Sequence, residues 1–238
     1  MGEGVAQKIR CIIRDTVCKY VPINNVLAYN NTEYVYMEKY FTKVTGVDMS
    51  LLQISEVGKY SVSKPIDAAE INRIITHYFS KPKSIIVTDA TANNGGNTIK
   101  FAIDFKYVNS VEISPEQFSI LSNNINVYSL RNVKILNVDY LKVMRELRQD
   151  VIFIDAPWGG PEYKKNPKVD LFLGRRNIVT VVKEIIEHSL CSLCVLKAPM
   201  NYNYHALFSK LPNTKFDVYT ISNYVIICIP VNIRAPLI

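Results

Sequence analysis

The sequence has little of what marks a secreted scaffold or a membrane protein. Its five cysteines are an odd number without framework spacing, which argues against a set of disulfides and indicates a reducing compartment. No apolar run is long enough to span a bilayer, and the N-terminus lacks the charged-then-apolar pattern of a signal peptide. Neither an internal repeat nor a low-complexity linker is present. We therefore expect a soluble, intracellular protein.

Two of the cysteines, Cys191 and Cys194, form a C-x-x-C pair with no second pair or histidine nearby. The surrounding residues 190–196 are predicted to form a strand, in which the two sulfurs would point to opposite faces. A shared metal ion needs its ligands on one side. We therefore predict that both cysteines pack in the core and that the protein holds no metal ion.

Basic residues exceed acidic ones, and the formal net charge is +7. This balance suggests a polyanionic partner such as RNA more than an acidic protein surface. A dense basic cluster, interrupted by Asp170 alone, comprises Lys164, Lys165, Lys168, Arg175 and Arg176. By itself the cluster leaves two interpretations open, a solvated loop or a phosphate-binding surface.

The hydrophobic pattern predicts an α/β fold with a doubly wound sheet, preceded by a small, mostly helical extension. Residues 1–70 lack strand alternation, and we expect this extension to help close the site. Over residues 71–238, apolar runs alternate with amphipathic stretches, which is typical of a parallel sheet flanked by helices. The predicted strands are 84–89, 107–113, 133–137, 150–155, 191–197, 215–222 and 224–230. The predicted helices are 98–105, 115–128 and 141–148.

Two local signals are particularly strong. Ser114 followed by Pro115 is a typical helix start, with serine as the cap and proline at the first helical position. Only Ser222 and Asn223 separate the last two strands, so no crossover can join them and they should form an antiparallel hairpin. The final strand of the sheet is therefore predicted to be reversed.

The segment 87–99 runs from a buried strand through Gly95 and Gly96 into a helix, at the sheet edge where α/β proteins bind ligands. The two glycines would let the backbone approach a ligand, and Asn97 or Thr98 could cap the helix. Asp89, at the strand end, could accept a hydrogen bond from an ammonium group. The spacing matches neither the dinucleotide-binding glycine pattern nor the P-loop.

Acidic residues also end the next two strands. Glu112 is placed where an acid can hold both hydroxyls of a ribose, and Asp139 could receive an adenine amino group with Tyr140 packed on the ring. Each acid alone is more simply an exposed loop residue. Two such acids beside a glycine loop favour cofactor contacts instead.

Residues 151–163 carry the most informative pattern, since a fourth strand ends in Asp155, a proline turn at Pro157 and the only tryptophan, Trp158. A ring between a proline and two glycines could cover a planar base. An exocyclic amine needs acceptors for its hydrogens, and Asp155 with the carbonyls of Ala156 or Pro157 could supply them. Stacking on Trp158 would be stronger for a cationic base such as 7-methylguanine.

This pattern resembles the (Asp/Asn/Ser)-Pro-Pro-(Tyr/Phe/Trp) loop of amino-directed methyltransferases. The longer stretch Pro-Trp-Gly-Gly-Pro-Glu-Tyr is similar to that of the trimethylguanosine synthase family, the RNA cap guanine-2-amino methyltransferases. The stretch Gly-Gly-Asn-Thr-Ile, with Phe101 and Ala102 after it, is also how that family continues. Tyr-Ser-Val-Ser at 60–63 is similar to the family's aromatic-Ser-Val-Thr segment. The resemblance covers residues 39–229.

The resemblance implies a Rossmann-like methyltransferase that uses S-adenosylmethionine. Its substrate would be 7-methylguanosine-capped RNA or a free cap nucleotide, and we expect a monomer. The implied amine-reading residues are Asp155, Pro157 and Trp158. The candidate cofactor contacts are Ser63, Asp89, Ala90, Thr91, Gly95, Gly96, Asn97, Thr98, Glu112, Ile113, Asp139, Tyr140 and Asp155. The candidate substrate contacts are Ser61, Trp158, Tyr163, Lys197 and Asn201.

Three departures from the family pattern affect these assignments. Met200 stands where the family pattern has an arginine that grips the cap phosphates, so that contact is lost or passes to Lys197 or to the loop 164–168. Asp155-Ala156 replaces the commoner Ser-Pro, which bears on the number of methyl groups added. Thr91-Ala92 replaces an aromatic-Cys pair in the cofactor loop.

Three other functions remain as alternatives. An adenine or cytosine amino methyltransferase acting on DNA or RNA would use the same loop. A non-catalytic cap- or RNA-binding module could retain the fold, although the glycine loop and both acids argue against it. An oxidoreductase is a distant third because its glycine fingerprint is missing.

Overall fold

A computed structural model describes residues 34–232. Its main feature is a seven-stranded sheet with the order β3-β2-β1-β4-β7-β9-β8. The strands are β1 (Ile86–Asp89), β2 (Tyr107–Val111), β3 (Val133–Leu136), β4 (Val151–Ile154), β7 (Leu193–Pro199), β8 (Asp217–Ile221) and β9 (Tyr224–Pro230). Only β9, which pairs antiparallel with both β7 and β8, is reversed relative to the others. The predicted sheet with its antiparallel final strand is confirmed.

Two further strands, β5 (Phe172–Leu173) and β6 (Arg176–Asn177), form a small separate hairpin. The α-helices are α1 (Tyr34–Met37), α2 (Glu56–Ser61), α3 (Pro65–Thr76), α4 (Gly96–Asp104), α5 (Pro115–Val127), α6 (Tyr140–Val143), α7 (Ile178–Glu187) and α8 (Tyr204–Lys210). Within residues 34–232, no helix is both long and apolar enough to cross a membrane.

The central strand β4 shows why the sheet is covered on both faces. Its four residues are all buried, and successive side chains enter different cores because strand side chains alternate. Val151 and Phe153 pack with residues of α3 and α4, whereas Ile152 and Ile154 pack with residues of α7. The uninterrupted apolar run is therefore the sequence of a strand buried between two helical layers.

Several predicted boundaries were wrong for identifiable reasons. The first strand begins at Ile86 because Pro82–Ser84 forms a 3-10 turn. Helix α4 begins at Gly96 with Gly95 as its cap in the left-handed conformation (φ 97°), so Asn97 and Thr98 lie inside the helix and do not cap it.

Helix α6 is also shorter than predicted. It covers Tyr140–Val143, and Met144 is its C-cap residue. The Met144 carbonyl accepts a hydrogen bond from the Gln149 side chain at 2.7 Å. That bond satisfies a carbonyl that a longer helix would use, so the chain turns there. By contrast, the predicted start of α5 is confirmed, since the Ser114 side chain caps it and Pro115 is its first residue.

The two cysteines of the C-x-x-C pair are both buried and free. Their predicted place in the core is confirmed, but the prediction of opposite faces was wrong. Strand β7 begins only at Leu193, so Cys191 precedes it and both sulfurs join the same core. Burial raises the pKa of the Cys191 thiol to about 12, which makes a thiolate ligand unfavourable.

The segment before the sheet packs against the outer faces of α4 and α5. Phe41, Met49 and Leu52 are buried there against Ile99 and Leu121. The predicted division at residue 70 falls inside α3, which runs from Pro65 to Thr76. That the extension closes the site stays a prediction.

The approach of this segment to the glycine loop is so close that Gly96 has no room for a side chain. A Cβ added there would lie 2.6 Å from Val62 Cγ1 and 3.0 Å from the Ser63 carbonyl oxygen. Glycine is therefore required at position 96 by contacts within the protein, with Val62 and Ser63, and not only by the approach of a ligand.

We expect Gly96→Ala to lower the free energy of unfolding by about 1–2 kcal/mol, because this overpacking outweighs the usual helix preference for alanine. Urea unfolding followed by circular dichroism measures the change. The double variant V62A/G96A, which removes the closest contact, should recover part of the loss. A G96A protein as stable as the wild type would contradict this packing.

Candidate functional site

A cleft of about 950 Å³ opens at the carboxyl edge of the sheet, where β1, β2 and β4 end. It gathers most of the residues singled out from the sequence: Ser61, Ser63, Ala90, Thr91, Gly96, Asn97, Glu112, Ile113, Asp139, Tyr140, Asp155, Pro157, Trp158, Tyr163 and Lys197. Asp89, Gly95 and Thr98 are not among its lining residues, and Asn201 lines a smaller cavity of about 380 Å³ beside it. One site therefore brings both sequence motifs together.

The two acids predicted to hold a nucleoside are fixed by backbone amides. The Glu112 carboxylate accepts hydrogen bonds from the N–H groups of Asn93 at 2.7 Å and Ser114 at 2.8 Å. The Asp139 side chain caps α6 by accepting from the Leu141 N–H at 3.0 Å. Glu112 is only 9% exposed, so the simpler interpretation of a solvated loop acid was wrong for this residue.

Asp89 lies behind the cleft wall, with 1% of its surface exposed. Its carboxylate accepts from the Thr98 hydroxyl at 2.7 Å and from the Thr91 N–H at 3.4 Å. Its pKa is raised to about 7, mainly by burial; the hydrogen bonds from Thr98 and Thr91 lower it, and the nearby carboxylates of Asp155 and Glu112 add to the rise. Asp89 therefore fixes the end of β1 through hydrogen bonds within the protein. Its predicted contact with an ammonium group stays a prediction.

Tyr140 borders the cleft from the core side. Only 2% of it is exposed, and its hydroxyl donates to the Gln149 side chain at 3.3 Å. Burial raises the pKa of the phenol well above its ordinary value. The side chain forms part of the cleft floor.

Two buried amide oxygens in the cleft lack partners. Asn93 and Asn97 both line it, and their side-chain NH₂ groups donate to Ser61 at 2.7 Å and to Ser63 at 3.0 Å. Among residues 34–232, the side-chain oxygens of both asparagines are buried without any hydrogen bond. An unsatisfied buried acceptor costs about 1–3 kcal/mol, so this wall is suited to a ligand that carries hydrogen-bond donors.

The loop that follows β4 is anchored at Asp155. Its N–H donates to the Thr91 hydroxyl at 2.9 Å, and its carboxylate forms an ion pair with the Lys197 ammonium at 2.7 Å. Lys197 also donates to the Ser63 hydroxyl at 3.0 Å. Burial raises the pKa of the Asp155 carboxyl, and the Lys197 charge opposes the rise. Two of the three N–H donors of Lys197 are thereby engaged, and the cap-phosphate contact offered to it as one alternative stays a prediction.

Trp158 stands half-buried among aromatic rings and one cation. Its ring meets Tyr163 edge-on at 5.1 Å between centroids, and Tyr224 lies at 6.3 Å. The Lys197 ammonium lies 5.4 Å from the Trp158 ring centroid. The indole N–H is buried and has no hydrogen-bond partner within the described part of the chain.

The residues of the basic cluster lie in different surroundings. Lys164 is exposed, lines the cleft and lies over the Tyr163 ring at 6.0 Å. Lys165 pairs with Glu162 and Arg176 with Glu184. Of the cluster, Lys164 alone lines the cleft.

The sequence interpretation missed Asn93, Tyr224 and the hairpin residues Phe172 to Gly174, all of which line the cleft. Tyr224 directly follows the predicted two-residue turn, but its position beside Trp158 depends on β9 lying between β7 and β8. No local pattern specifies that insertion.

A family model described as RNA cap guanine-N2 methyltransferase matches residues 84–233. The chain belongs to this family. The resemblance inferred from the two loops is thereby confirmed, and trimethylguanosine synthases are among the relatives.

The curated relatives are similar at modest identity. Trimethylguanosine synthase from Saccharomyces cerevisiae is 31% identical over 96 residues, 38% of this chain and 30% of the relative. The Schizosaccharomyces pombe enzyme of that name is 33% identical over 113 residues, 44% of this chain and 45% of the relative. An uncharacterised protein of Acanthamoeba polyphaga mimivirus is 34% identical over 142 residues, 57% of this chain and 56% of that protein. This chain therefore spans between 30% and 56% of their lengths.

Solved structures share the fold. A putative methyltransferase from Porphyromonas gingivalis superposes on 87% of this chain and 49% of its own with a TM-score of 0.63 and 13% identity. The 16S rRNA N2 G1207 methyltransferase of Thermus thermophilus superposes on 79% of this chain and 44% of its own with a TM-score of 0.53 and 16% identity. The sheet is thus a Rossmann-like methyltransferase sheet.

The raised pKa of Asp89 makes a pH-dependent prediction. The folded carboxyl titrates near 7 and the unfolded one near 3.9, so wild-type stability falls as pH rises from about 4 to 7. Asn cannot ionise. We therefore expect the stability of Asp89→Asn, relative to the wild type, to rise by about 2–3 kcal/mol between pH 5 and pH 8.

Urea unfolding at the two pH values measures this difference. Glu187→Gln, which removes an exposed carboxylate, controls for the loss of one negative charge. A constant offset between D89N and wild type from pH 5 to pH 8 would show that Asp89 does not titrate in this range.

Proposed function

We propose that this protein transfers a methyl group from S-adenosylmethionine to the exocyclic 2-amino group of 7-methylguanosine in RNA caps. The observation that carries the proposal is the union, in one cleft, of two backbone-anchored acids with the Asp-Ala-Pro-Trp loop. Family membership supports the same reaction. The substrate would be capped RNA or a free cap nucleotide, and the product di- or trimethylguanosine.

The cofactor half of the cleft fits S-adenosylmethionine. Glu112 would accept the ribose hydroxyls with the oxygen lone pairs that its backbone bonds leave, and Asp139 would accept the adenine amino group. The unpartnered oxygens of Asn93 and Asn97 are suited to donors such as hydroxyl and ammonium groups. When bound, this cofactor supplies an electrophilic methyl group and retains the electron pair of the broken carbon–sulfur bond.

The other half would orient the amine. The guanine 2-amino lone pair is delocalised into the ring, so the nitrogen must be turned toward the methyl donor. Asp155 and the carbonyls of Ala156 or Pro157 would accept the amine hydrogens, and Trp158 would stack on the cationic base. The nitrogen pair forms the new N–C bond, and the proton then leaves to water without a dedicated general base.

The first test is transfer itself. We expect mass spectrometry to show a gain of one or two methyl groups on 7-methyl-GTP, and none on GTP, after incubation with the protein and S-adenosylmethionine. Without the N7 methyl the base lacks the charge that strengthens stacking on Trp158. Transfer to an adenine or cytosine oligonucleotide would favour the other amino methyltransferases, and cap binding without transfer would favour a binding module.

The second test removes the stacking ring. Trp158→Ala should lower kcat/KM for 7-methyl-GTP by about 30-fold or more, since a desolvated cation–π contact is worth about 2 kcal/mol. Binding of S-adenosylmethionine, measured by calorimetry, should change less than about twofold because the acids are untouched. Trp158→Phe, which keeps a smaller ring, should retain more activity. Unchanged turnover in W158A would rule out the stacking role.

A further inference from the structure

Lys197 is a buried cation in the site, and the proposed reaction gives it no role. It lies on β7 with 5% of its surface exposed. Its ammonium contacts the Asp155 carboxylate at 2.7 Å and the Ser63 hydroxyl at 3.0 Å, and lies 4.8 Å from the Tyr224 ring centroid. Burying an ammonium costs several kcal/mol unless a partner offsets it. Asp155 is the carboxylate that does so.

Resting on the proposed function, we infer that Lys197 is a positioning residue that keeps Asp155 an ionised, fixed acceptor for the substrate amine. The ammonium occupies one carboxylate oxygen, Oδ2, and leaves Oδ1 for an amine hydrogen. The backbone N–H of Asp155 is held by Thr91 at 2.9 Å, so the residue is fixed at both ends. A protonated Asp155 would present a hydroxyl donor to an amine that also donates.

Removal of the lysine charge should therefore change the titration of Asp155. Burial already raises the pKa of this carboxyl, and Lys197 is the group that lowers it. The other titratable groups that face the Lys197–Asp155 pair do not lower the pKa of Asp155, since they are a carboxyl group and a phenol. Asp89, on β1, repels a charge on Asp155, and the Tyr224 phenol on β9, with Asp67 beside it, has its pKa raised by burial. Among residues 34–232, Lys197 is the cation whose charge lowers the pKa of Asp155.

Lys197 also links the two halves of the cleft. The Ser63 hydroxyl accepts from its ammonium and from the Asn97 side chain, each at 3.0 Å. Asn97 lies in the first turn of α4, within the glycine loop motif. The lysine thus holds the amine-reading loop in register with the cofactor wall.

The test is the pH dependence of kcat/KM for Lys197→Met, a side chain of similar length without charge. We expect the acid limb of the profile to move up by at least one pH unit, with activity partly restored at pH 9 as Asp155 ionises. Lys197→Arg, which keeps the charge, should shift the limb much less. A structural role alone would lower activity equally at every pH.

A direct readout does not depend on turnover. In proteins labelled with ¹³C at aspartate carboxyls, the Asp155 signal, assigned by its loss in Asp155→Asn, should titrate at higher pH in K197M than in the wild type. If K197M alone does not fold, the double variant D155N/K197M removes both charges of the pair and tests coupling. Adding K197M to D155N should then cost less than about threefold in kcat/KM, because the lysine acts through Asp155.

The inference is overturned if K197M keeps the wild-type profile and carboxyl titration, or if K197M lowers the activity of D155N as much as that of the wild type. Failure of the proposed function looks different, since wild-type protein would then transfer no methyl group to 7-methyl-GTP. If the protein methylates another base instead, the same comparison of K197M with the wild type can be made on that substrate.

Discussion

A buried ammonium costs several kcal/mol of desolvation unless close partners offset it, and at Lys197 this constraint ties together several parts of the cleft. The Lys197–Asp155 contact at 2.7 Å joins the ends of β7 and β4. Hydrogen bonds from the same two residues reach Thr91 after β1 and Ser63 before α3. Four separate parts of the chain are thereby held together. Removing either partner of the pair would disturb them, because the other charge would be left buried and unpaired.

The same edge of the sheet has to accommodate several acids, because the carboxyl ends of parallel strands lie side by side. The surroundings of these acids are of three kinds. Glu112 and Asp139 accept backbone N–H groups, Asp155 has its lysine, and Asp89 has its pKa raised to about 7 by burial. Each backbone N–H uses one oxygen lone pair and leaves others able to accept further donors, which is the capacity that the proposed nucleoside contacts of Glu112 and Asp139 would use.

Much of this could be predicted from the sequence, and the remainder depends on strand register. The glycine loop, the Ser114–Pro115 helix start and the two-residue turn at Ser222 are local signals, and each located its element, although α4 begins two residues earlier than predicted. The ion pair is not local, since Asp155 and Lys197 are 42 residues apart. It follows only once Ile154 is known to lie opposite Leu196, which makes Asp155 and Lys197 the next residues along two adjacent parallel strands. Likewise, Tyr224 reaches Trp158 only because β9 inserts beside β7.

The strand register also explains how an aspartate can stand at position 155, where the family pattern commonly has a serine. Taken alone, an aspartate in place of the commoner serine would bury a negative charge next to Asp89, which desolvation and repulsion both disfavour. With Lys197 opposite, the carboxylate forms an ion pair of zero net charge, so the loop gains a carboxylate acceptor whose charge is offset. A carboxylate accepts hydrogen bonds more strongly than a hydroxyl and cannot donate. The two residues form a pair across adjacent strands, so a comparison of the loop after β4 with that of other methyltransferases has to include the residue on the neighbouring strand.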